Sequence, residues 1–268
     1  MTLSEIIRML HRAGYEGVEI WEPHIHDLSD ADLDALRRQL DVAGMTVAAI
    51  SPYFNLTQSD ETAAASIAAG RKLVEQARRL GAPTIRVFAG HLGSAAATPE
   101  HWARSVRSLQ TLADSAPLHW VVEPHAGTLA DSIAMQLRYL REVNRPNVKA
   151  IYQATNLRPD YLGALDQLTP YIAHIHANNS DGDAPYPPLE GGELAYAEIV
   201  ERLRRMNFTG FISVEYLGDD PQTAMTREIE YLRRLLKSIS RAALPAVSKH
   251  CHAAVLPTAC KVSKSGGF

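Results

Sequence analysis

Cysteine and long apolar runs are scarce in this sequence. Its only two cysteines, Cys251 and Cys260, stand near the C-terminal end. They exclude a disulfide framework as the support of the fold and predict a reducing, cytoplasmic location. No apolar run approaches the ~20 residues that a transmembrane helix needs, and the N-terminus lacks the basic and apolar regions of a signal peptide. We therefore expect no membrane partner.

An excess of positive charge is also missing. The 268 residues include 27 Lys and Arg against 30 Asp and Glu, which gives a formal net charge of −3. Nucleic-acid-binding domains usually carry a basic surface, so this balance predicts no nucleic-acid partner. The hydrophobic content of 46% and the charged content of 21% are ordinary for a globular protein. The length suits one large α/β barrel or two smaller domains.

Short β-rich runs alternate with amphipathic helices along the chain. The helix-to-strand junctions resemble one another, and a Gly or Asn just past a helix suits a left-handed cap. This recurrence predicts repeated β/α units, which build a parallel sheet. The seven predicted strands are residues 17–21, 46–51, 84–89, 119–123, 148–153, 172–176 and 211–215.

The start of the chain departs from a closed eight-stranded barrel. Thr2-Leu3-Ser4-Glu5 has the capping-box pattern, so the chain enters a helix with no strand before it. Either the barrel is open between its second and eighth strands, or the start of the chain is truncated. We predict a TIM-barrel domain over residues 1–239 and a poorly ordered tail over residues 240–268, where periodicity is weak.

Three of the predicted strands end on residues that bind metals. These residues are Glu123, His176 and Glu215. A parallel barrel gathers the C-terminal ends of its strands around one axis, where barrel enzymes keep their chemistry. Two converging carboxylates raise each other's pKa unless a cation lies between them, and carboxylates with an imidazole suit a divalent ion. The alternative, salt bridges at the rim, is less favoured because both glutamates have the same phase.

Other polar residues lie on the inward face of these strands. Gln153 ends the strand before His176, where a fourth ligand is expected. His174 lies two residues deeper, roughly 6.6 Å at ~3.3 Å per residue, and is interpreted as a buried structural histidine. Glu19 lies inside the first strand and needs a partner, either an Arg or a substrate hydroxyl.

Several segments resemble the sugar phosphate isomerase/epimerase superfamily, the xylose isomerase-like barrels. The resemblance covers about residues 2–237, and its most specific segment is Phe-Thr-Gly-Phe-Ile-Ser-Val-Glu-Tyr at 208–216. The other segments are residues 14–20, 122–132 and 174–179. The resemblance implies an α/β fold, a (β/α)8 TIM barrel of xylose isomerase-like type that lacks its first strand and carries a C-terminal tail.

The resemblance also implies a site. One divalent ion, Mn, Mg or Co with Zn as a further option, is expected on Glu123, Gln153, His176 and Glu215. The two glutamates are expected to act as the acid/base pair. The predicted substrate-binding residues are Glu19, His91, His125, Asn156 and Asn178. The expected substrate is a small sugar or polyol derivative, and formation of a homo-oligomer is left open.

Two departures from the family pattern affect this expectation. Gln153 stands where the family has Asp, and Asn178-Asn179 replaces a Lys-Asp pair. An amide oxygen binds hard cations less strongly than a carboxylate, so metal binding is expected to be weakened or lost. The first hypothesis is a metal-dependent isomerase or epimerase that moves a proton next to a carbonyl. The alternatives are a keto-polyol dehydratase and a non-catalytic sugar-binding barrel with a degraded metal site.

Overall fold

A computed structural model describes residues 2–179, 187–215, 220–240 and 252–255 of the chain. Within these ranges the strands form one parallel sheet in sequential order, with helices between them. The strands are β1 (Gly17–Trp21), β2 (Thr46–Ser51), β3 (Thr84–Phe88), β4 (His119–Glu123), β5 (Val148–Gln153), β6 (Ile172–Ala177), β7 (Phe211–Val214) and β8 (His252–Val255).

Each connection between consecutive strands from β1 to β7 contains an α-helix, another helix precedes β1, and another follows β7. The helices are α1 (Leu3–Ala13), α2 (Asp30–Val42), α3 (Asp60–Leu80), α4 (Pro99–Ala113), α5 (Ile133–Val143), α6 (Tyr161–Leu168), α7 (Tyr196–Arg205) and α8 (Pro221–Ser240). Short 3₁₀ helices follow β1 at Glu22–His24 and β5 at Ala154–Leu157. No helix among the described residues is long and apolar enough to cross a membrane.

The seven strands predicted from the sequence are confirmed, and three of them end one residue earlier or later than predicted. β3 stops at Phe88, β6 continues to Ala177, and β7 stops at Val214, so that Glu215 directly follows its strand. The predicted capping box at the start of α1 is also present, since the Thr2 side chain accepts from the Glu5 amide and the Glu5 carboxylate accepts from the Thr2 amide.

The eighth strand was not predicted. β8 pairs in parallel with β7, starting at Phe211 opposite His252, and also lies beside β1. The sequence assigned these four residues to a poorly ordered tail, whereas the structure places them in the sheet. An unpaired edge of β7 would expose backbone N–H and C=O groups, and pairing with β8 satisfies them. Most of the predicted tail lies outside the described residues.

Buried contacts between helix and sheet fix the ends of the strands that carry the site. Gln136 of α5 is fully buried, and its Nε2 donates to the carbonyl of Val122 at 3.0 Å and to that of Ile151 at 3.1 Å. One side chain thus joins β4 to β5 just below Glu123 and Gln153. Because buried carbonyls without partners are costly, this contact holds the two strand ends in register.

Candidate metal centre

Four strands bring the predicted metal-binding residues to one end of the barrel. Glu123 and Gln153 are the last residues of β4 and β5, His176 is near the end of β6, and Glu215 follows β7. Gln153 and His176 are register partners on adjacent strands. All four side chains are buried, and the three titratable ones form a group that could hold a metal ion.

Three atoms from these side chains face one another. Nδ1 of His176 lies 3.5 Å from Oε1 of Glu123 and 3.2 Å from Oε1 of Glu215. Although this nitrogen is buried, it makes no hydrogen bond. A buried polar atom without a partner is costly. Its position between two carboxylate oxygens is the arrangement expected where a cation binds.

The second oxygen of each glutamate has other partners. Oε2 of Glu123 lies 3.1 Å from Nε of Arg86, in a buried ion pair. Oε2 of Glu215 accepts from Nε2 of Gln153 at 2.8 Å and from Nδ2 of Asn178 at 3.2 Å. Each carboxylate therefore turns one oxygen toward His176, while the other oxygen pairs with the Arg86 cation in Glu123 and accepts from two amides in Glu215.

The other ring nitrogen of His176, Nε2, faces the Glu19 carboxylate. Nε2 lies 3.2 Å from both oxygens of that carboxylate, which also accepts from Ser51 at 2.5 Å and lies 2.9 Å from Nε2 of His174. In the neutral ring, which an ion requires, an acceptor at Nε2 places the proton there and leaves the lone pair on Nδ1. A carboxylate behind a metal-binding histidine is the usual outer support of such sites.

The electrostatics of the two glutamates differ. Burial raises the pKa of Glu123, but the charges of His176 and Arg86 outweigh it and hold this pKa below its usual value. Burial, together with the charges of Glu123 and Glu19, raises the pKa of Glu215 to about 8, against an opposing effect of His176. Glu123 is thus the ionised carboxylate at neutral pH, and Glu215 holds a proton when no cation is present.

The pKa values of His176 and Glu19 follow from the same cluster. Burial lowers the pKa of His176, but Glu215, Glu19 and Glu123 outweigh it and raise this pKa well above the usual value. Burial raises the pKa of Glu19, and the neighbouring His176 and His174 outweigh it, so Glu19 stays ionised. Protons therefore occupy this site in the absence of a cation, and an ion would displace them.

The predicted substrate-binding residues have different surroundings. Asn178 is buried against Glu215, and Asn156 donates to Gln153 Oε1 at 2.7 Å. The rings of His91 and His125 lie 6.2 Å and 5.1 Å from the ring of Phe88, near the strand ends.

Glu19 belongs to the layer below. Its carboxylate contacts Ser51, His174 and His176, and these partners do not include the Arg considered from the sequence; its role in substrate binding stays a prediction. His174 is buried, as its interpretation as a structural histidine requires, and also lies 2.8 Å from Oγ of Ser213.

Arg86 is the site residue that sequence reasoning left without a role. It lies on β3, and its Nη1 donates a hydrogen bond to the carbonyl of Pro52 at 3.1 Å. Its guanidinium also lies over the rings of Phe88 and Tyr53, at 4.2 Å and 4.9 Å from their centroids. The signal for this role is an arginine inside an apolar strand, where burial demands an anionic partner. That partner is Glu123, on the neighbouring strand.

The residues present fit one divalent ion. Two carboxylate oxygens and a neutral imidazole nitrogen converge, and an outer carboxylate fixes the imidazole. Oxygen and nitrogen donors of this kind suit Mg, Mn, Co or Zn. Gln153 does not add an oxygen to this set, because its nitrogen faces Glu215.

Comparisons with known proteins agree with this fold. The family model described as "Xylose isomerase-like TIM barrel" matches residues 7–235. The chain is 24% identical to 3-dehydroshikimate dehydratase of Bacillus anthracis over 266 residues, covering 87% of this chain and 91% of that protein. It is 25% identical to D-psicose 3-epimerase of Agrobacterium fabrum over 228 residues, covering 78% and 77%.

A solved structure gives the same result for the fold. A xylose isomerase-like TIM barrel protein from Mycobacterium smegmatis, crystallised in complex with magnesium, has a TM-score of 0.74 and 18% identity. The match covers 88% of each chain. At this identity the likeness establishes the fold alone.

Proposed function

Because the chain belongs to the xylose isomerase-like TIM barrel family, we propose that it is a metal-dependent enzyme that removes water from a small polyhydroxylated carbonyl compound. The observation that carries this proposal is the unequal pair of buried carboxylates. Glu123 has a lowered pKa beside Arg86, whereas the pKa of Glu215 is raised to about 8. The lowered pKa keeps Glu123 ionised at neutral pH, as the base that takes the proton in an elimination must be.

In this proposal Glu123, His176 and Glu215 would hold the divalent ion. When bound, the ion would supply Lewis-acid polarisation of a carbonyl and orientation of its neighbouring oxygen. Glu19 keeps the proton of His176 on Nε2, so that Nδ1 is free. With His176, Arg86 lowers the pKa of Glu123, and its Nε forms an ion pair with Oε2 of that carboxylate.

The proposed reaction is a β-elimination. The Glu123 carboxylate takes a proton from the carbon next to the carbonyl, and the electron pair of that C–H bond becomes the new C=C double bond. The hydroxyl group on the adjacent carbon leaves with its bonding electrons. The Glu123 carboxyl group, which now carries the abstracted proton, passes it to that hydroxyl, so that water is released and the carboxylate is regenerated. The products are the unsaturated carbonyl compound and water.

Epimerisation is the second candidate, and the near-symmetry of the two carboxylates favours it. Their Oε1 atoms lie 3.5 Å and 3.2 Å from the same nitrogen of His176, so both flank one point. An epimerase needs this arrangement because one carboxylate removes a proton from a carbon and the other returns a proton to its opposite face. Similarity to D-psicose 3-epimerase supports this candidate, and similarity to 3-dehydroshikimate dehydratase supports the first.

Aromatic rings near the C-terminal ends of the strands suit a substrate that has a flat apolar face. Phe88 packs against Tyr53 and His125, with ring centroids 5.6 Å and 5.1 Å apart. Tyr53 is 59% exposed, although exposed large hydrophobic side chains are few in the described structure. Aromatic side chains beside polar groups are common in small-molecule sites, where the rings supply area and the polar groups supply orientation.

The test is product analysis with the ion supplied. The purified protein is incubated with Mg²⁺ or Mn²⁺ and either 3-dehydroshikimate or D-psicose, in ²H₂O. Elimination gives an unsaturated product, whereas epimerisation gives a sugar isomer with deuterium at the inverted carbon. Glu123→Gln and Glu215→Gln are each expected to lower kcat by about 10²–10⁴-fold, with exposed Glu61→Gln as the matched control.

Two outcomes would contradict this assignment. Undiminished turnover in both glutamine variants would show that the carboxylates do not carry the reaction. Formation of the epimer alone would replace the first candidate with the second.

A further inference from the structure

Gln153 stands where the sequence predicts a fourth ligand, but its amide nitrogen faces the site. Nε2 donates to Oε2 of Glu215 at 2.8 Å. Oε1 points away and accepts from Nδ2 of Asn156 at 2.7 Å. An amide N–H group is a donor and offers no electron pair to a cation. In this orientation Gln153 supports a ligand and is not one itself.

Asn156 fixes that orientation. Its Nδ2 donates to the backbone carbonyl of Pro124 at 2.8 Å as well as to Gln153. A carbonyl only accepts, so a half-turn of the Asn156 amide would set two oxygens against each other. With Nδ2 held toward Pro124, the Gln153 atom that meets it has to be the oxygen. The hydrogen bonds thus determine which way both amides face.

We propose that Asn156 locks Gln153 as a hydrogen-bond donor to Glu215, so that the metal centre has three protein ligands and leaves its other positions to water and substrate. The inference rests on the proposed function, because it assumes that a divalent ion binds at this site. Oε2 of Glu215 accepts from Gln153 and Asn178, which leaves Oε1 as the oxygen for the ion. Catalytic metal sites keep such open positions, whereas closed sites are structural.

Ligation by Gln153 would require a different arrangement. Its amide would have to turn by half a revolution to present Oε1, and Asn156 would then have to turn to accept from Nε2. That second turn breaks the bond from Asn156 to Pro124 and leaves a part-buried carbonyl against an oxygen. The two arrangements therefore differ in the positions of two side-chain amides.

Nuclear magnetic resonance of ¹⁵N-labelled protein tests the lock directly. The side-chain NH₂ signals of Gln153 and Asn156 are assigned by their absence in Gln153→Met and Asn156→Leu, or by selective labelling of Gln and Asn if a variant does not fold. We expect both pairs to stay protected from hydrogen exchange, with small shifts, when diamagnetic Mg²⁺ is added. Large shifts of both pairs with loss of that protection would overturn the proposal.

A count of water molecules on bound Mn²⁺ gives a second readout. Relaxation of water protons reports the waters in the inner sphere of the ion. We expect Gln153→Met to hold the same number as the wild type, with exposed Gln167→Met as the matched control. One additional water in Gln153→Met would show that a ligand has been lost and would overturn the proposal.

Neither measurement uses substrate, so failure of the proposed lock can be distinguished from failure of the proposed reaction. Turned amides with normal turnover would overturn the lock and leave the proposed function standing. Locked amides without turnover of any substrate would count against the reaction alone. If the protein does not change the water relaxation caused by Mn²⁺, no ion binds, and both proposals fail.

Discussion

Nε2 of His176 lies 3.2 Å from both carboxylate oxygens of Glu19, while Nδ1 of the same ring points at Glu123 and Glu215. The imidazole thus joins two buried layers of the barrel. The lower layer determines where the ring proton resides, and the upper layer receives the free lone pair. Glu19 is therefore a positioning residue that acts through His176.

Replacement of Glu19 by Gln is expected to weaken metal binding by about 10–100-fold, the range observed for outer-sphere partners of metal ligands. The amide would set its own N–H group against those of His174 and His176, which now converge on Glu19. Titration calorimetry with Mn²⁺ measures the change. The exposed Glu61→Gln gives the matched control, and equal affinity in both variants would contradict the positioning role.

Because Arg86 and Glu123 form a buried ion pair, we expect the effects of their substitutions on the free energy of unfolding to be strongly non-additive. Arg86→Met leaves buried Glu123 with His176 as its remaining cationic neighbour, and we expect the free energy of unfolding of the ion-free protein to fall by about 3 kcal/mol, the lower end of the range for a broken buried pair. In the double variant Arg86→Met/Glu123→Gln no unpaired charge remains, so much of this loss should be recovered. Urea denaturation in the presence of a chelator measures both.

The exposed ion pair between Arg205 and Glu201 is the control for the comparison of the single and double variants of Arg86 and Glu123. Its arginine is 70% exposed, so Arg205→Met should change the free energy of unfolding by no more than about 1 kcal/mol. If Arg86→Met and Glu123→Gln had strictly additive effects, the pair would contribute nothing specific to stability.

The sequence predicted the barrel strands and the converging site because both depend on local patterns. Alternation along β6 determined that His174 and His176 face inward, and the end of a strand determined where Glu123 stands. The donor role of Gln153 could not be predicted in this way, since it depends on the Pro124 carbonyl, brought near by a different strand. β8 was not predicted, because its strand conformation depends on pairing with the open edge of β7 rather than on an alternating pattern of its own residues.

Gln136 provides a prediction about the scaffold below the site. Gln136→Leu removes the donor to the carbonyls of Val122 and Ile151 and leaves both buried without it, so we expect a loss of about 1–3 kcal/mol in the free energy of unfolding. Exposed Gln167→Leu is the matched control. Chemical denaturation checks the difference, and equal stability of the two variants would show that the bridge between β4 and β5 is not needed.

Metal affinity should rise with pH, because protons and the ion compete for the same atoms. The pKa of Glu215 is raised to about 8 by burial, and Glu215, Glu19 and Glu123 raise that of His176 well above its usual value. The ion needs Glu215 ionised and His176 neutral, so binding releases protons below these pKa values.

Each released proton increases the affinity by about tenfold per pH unit. Between pH 6 and 8 we therefore expect the dissociation constant of Mn²⁺ to fall steeply, and calorimetry in two buffers of different ionisation enthalpy should detect the released protons. Glu215→Gln removes one of the two titrating groups and should flatten the dependence by about one proton. An affinity that is constant between pH 6 and 8 would mean that the ion binds away from Glu215 and His176.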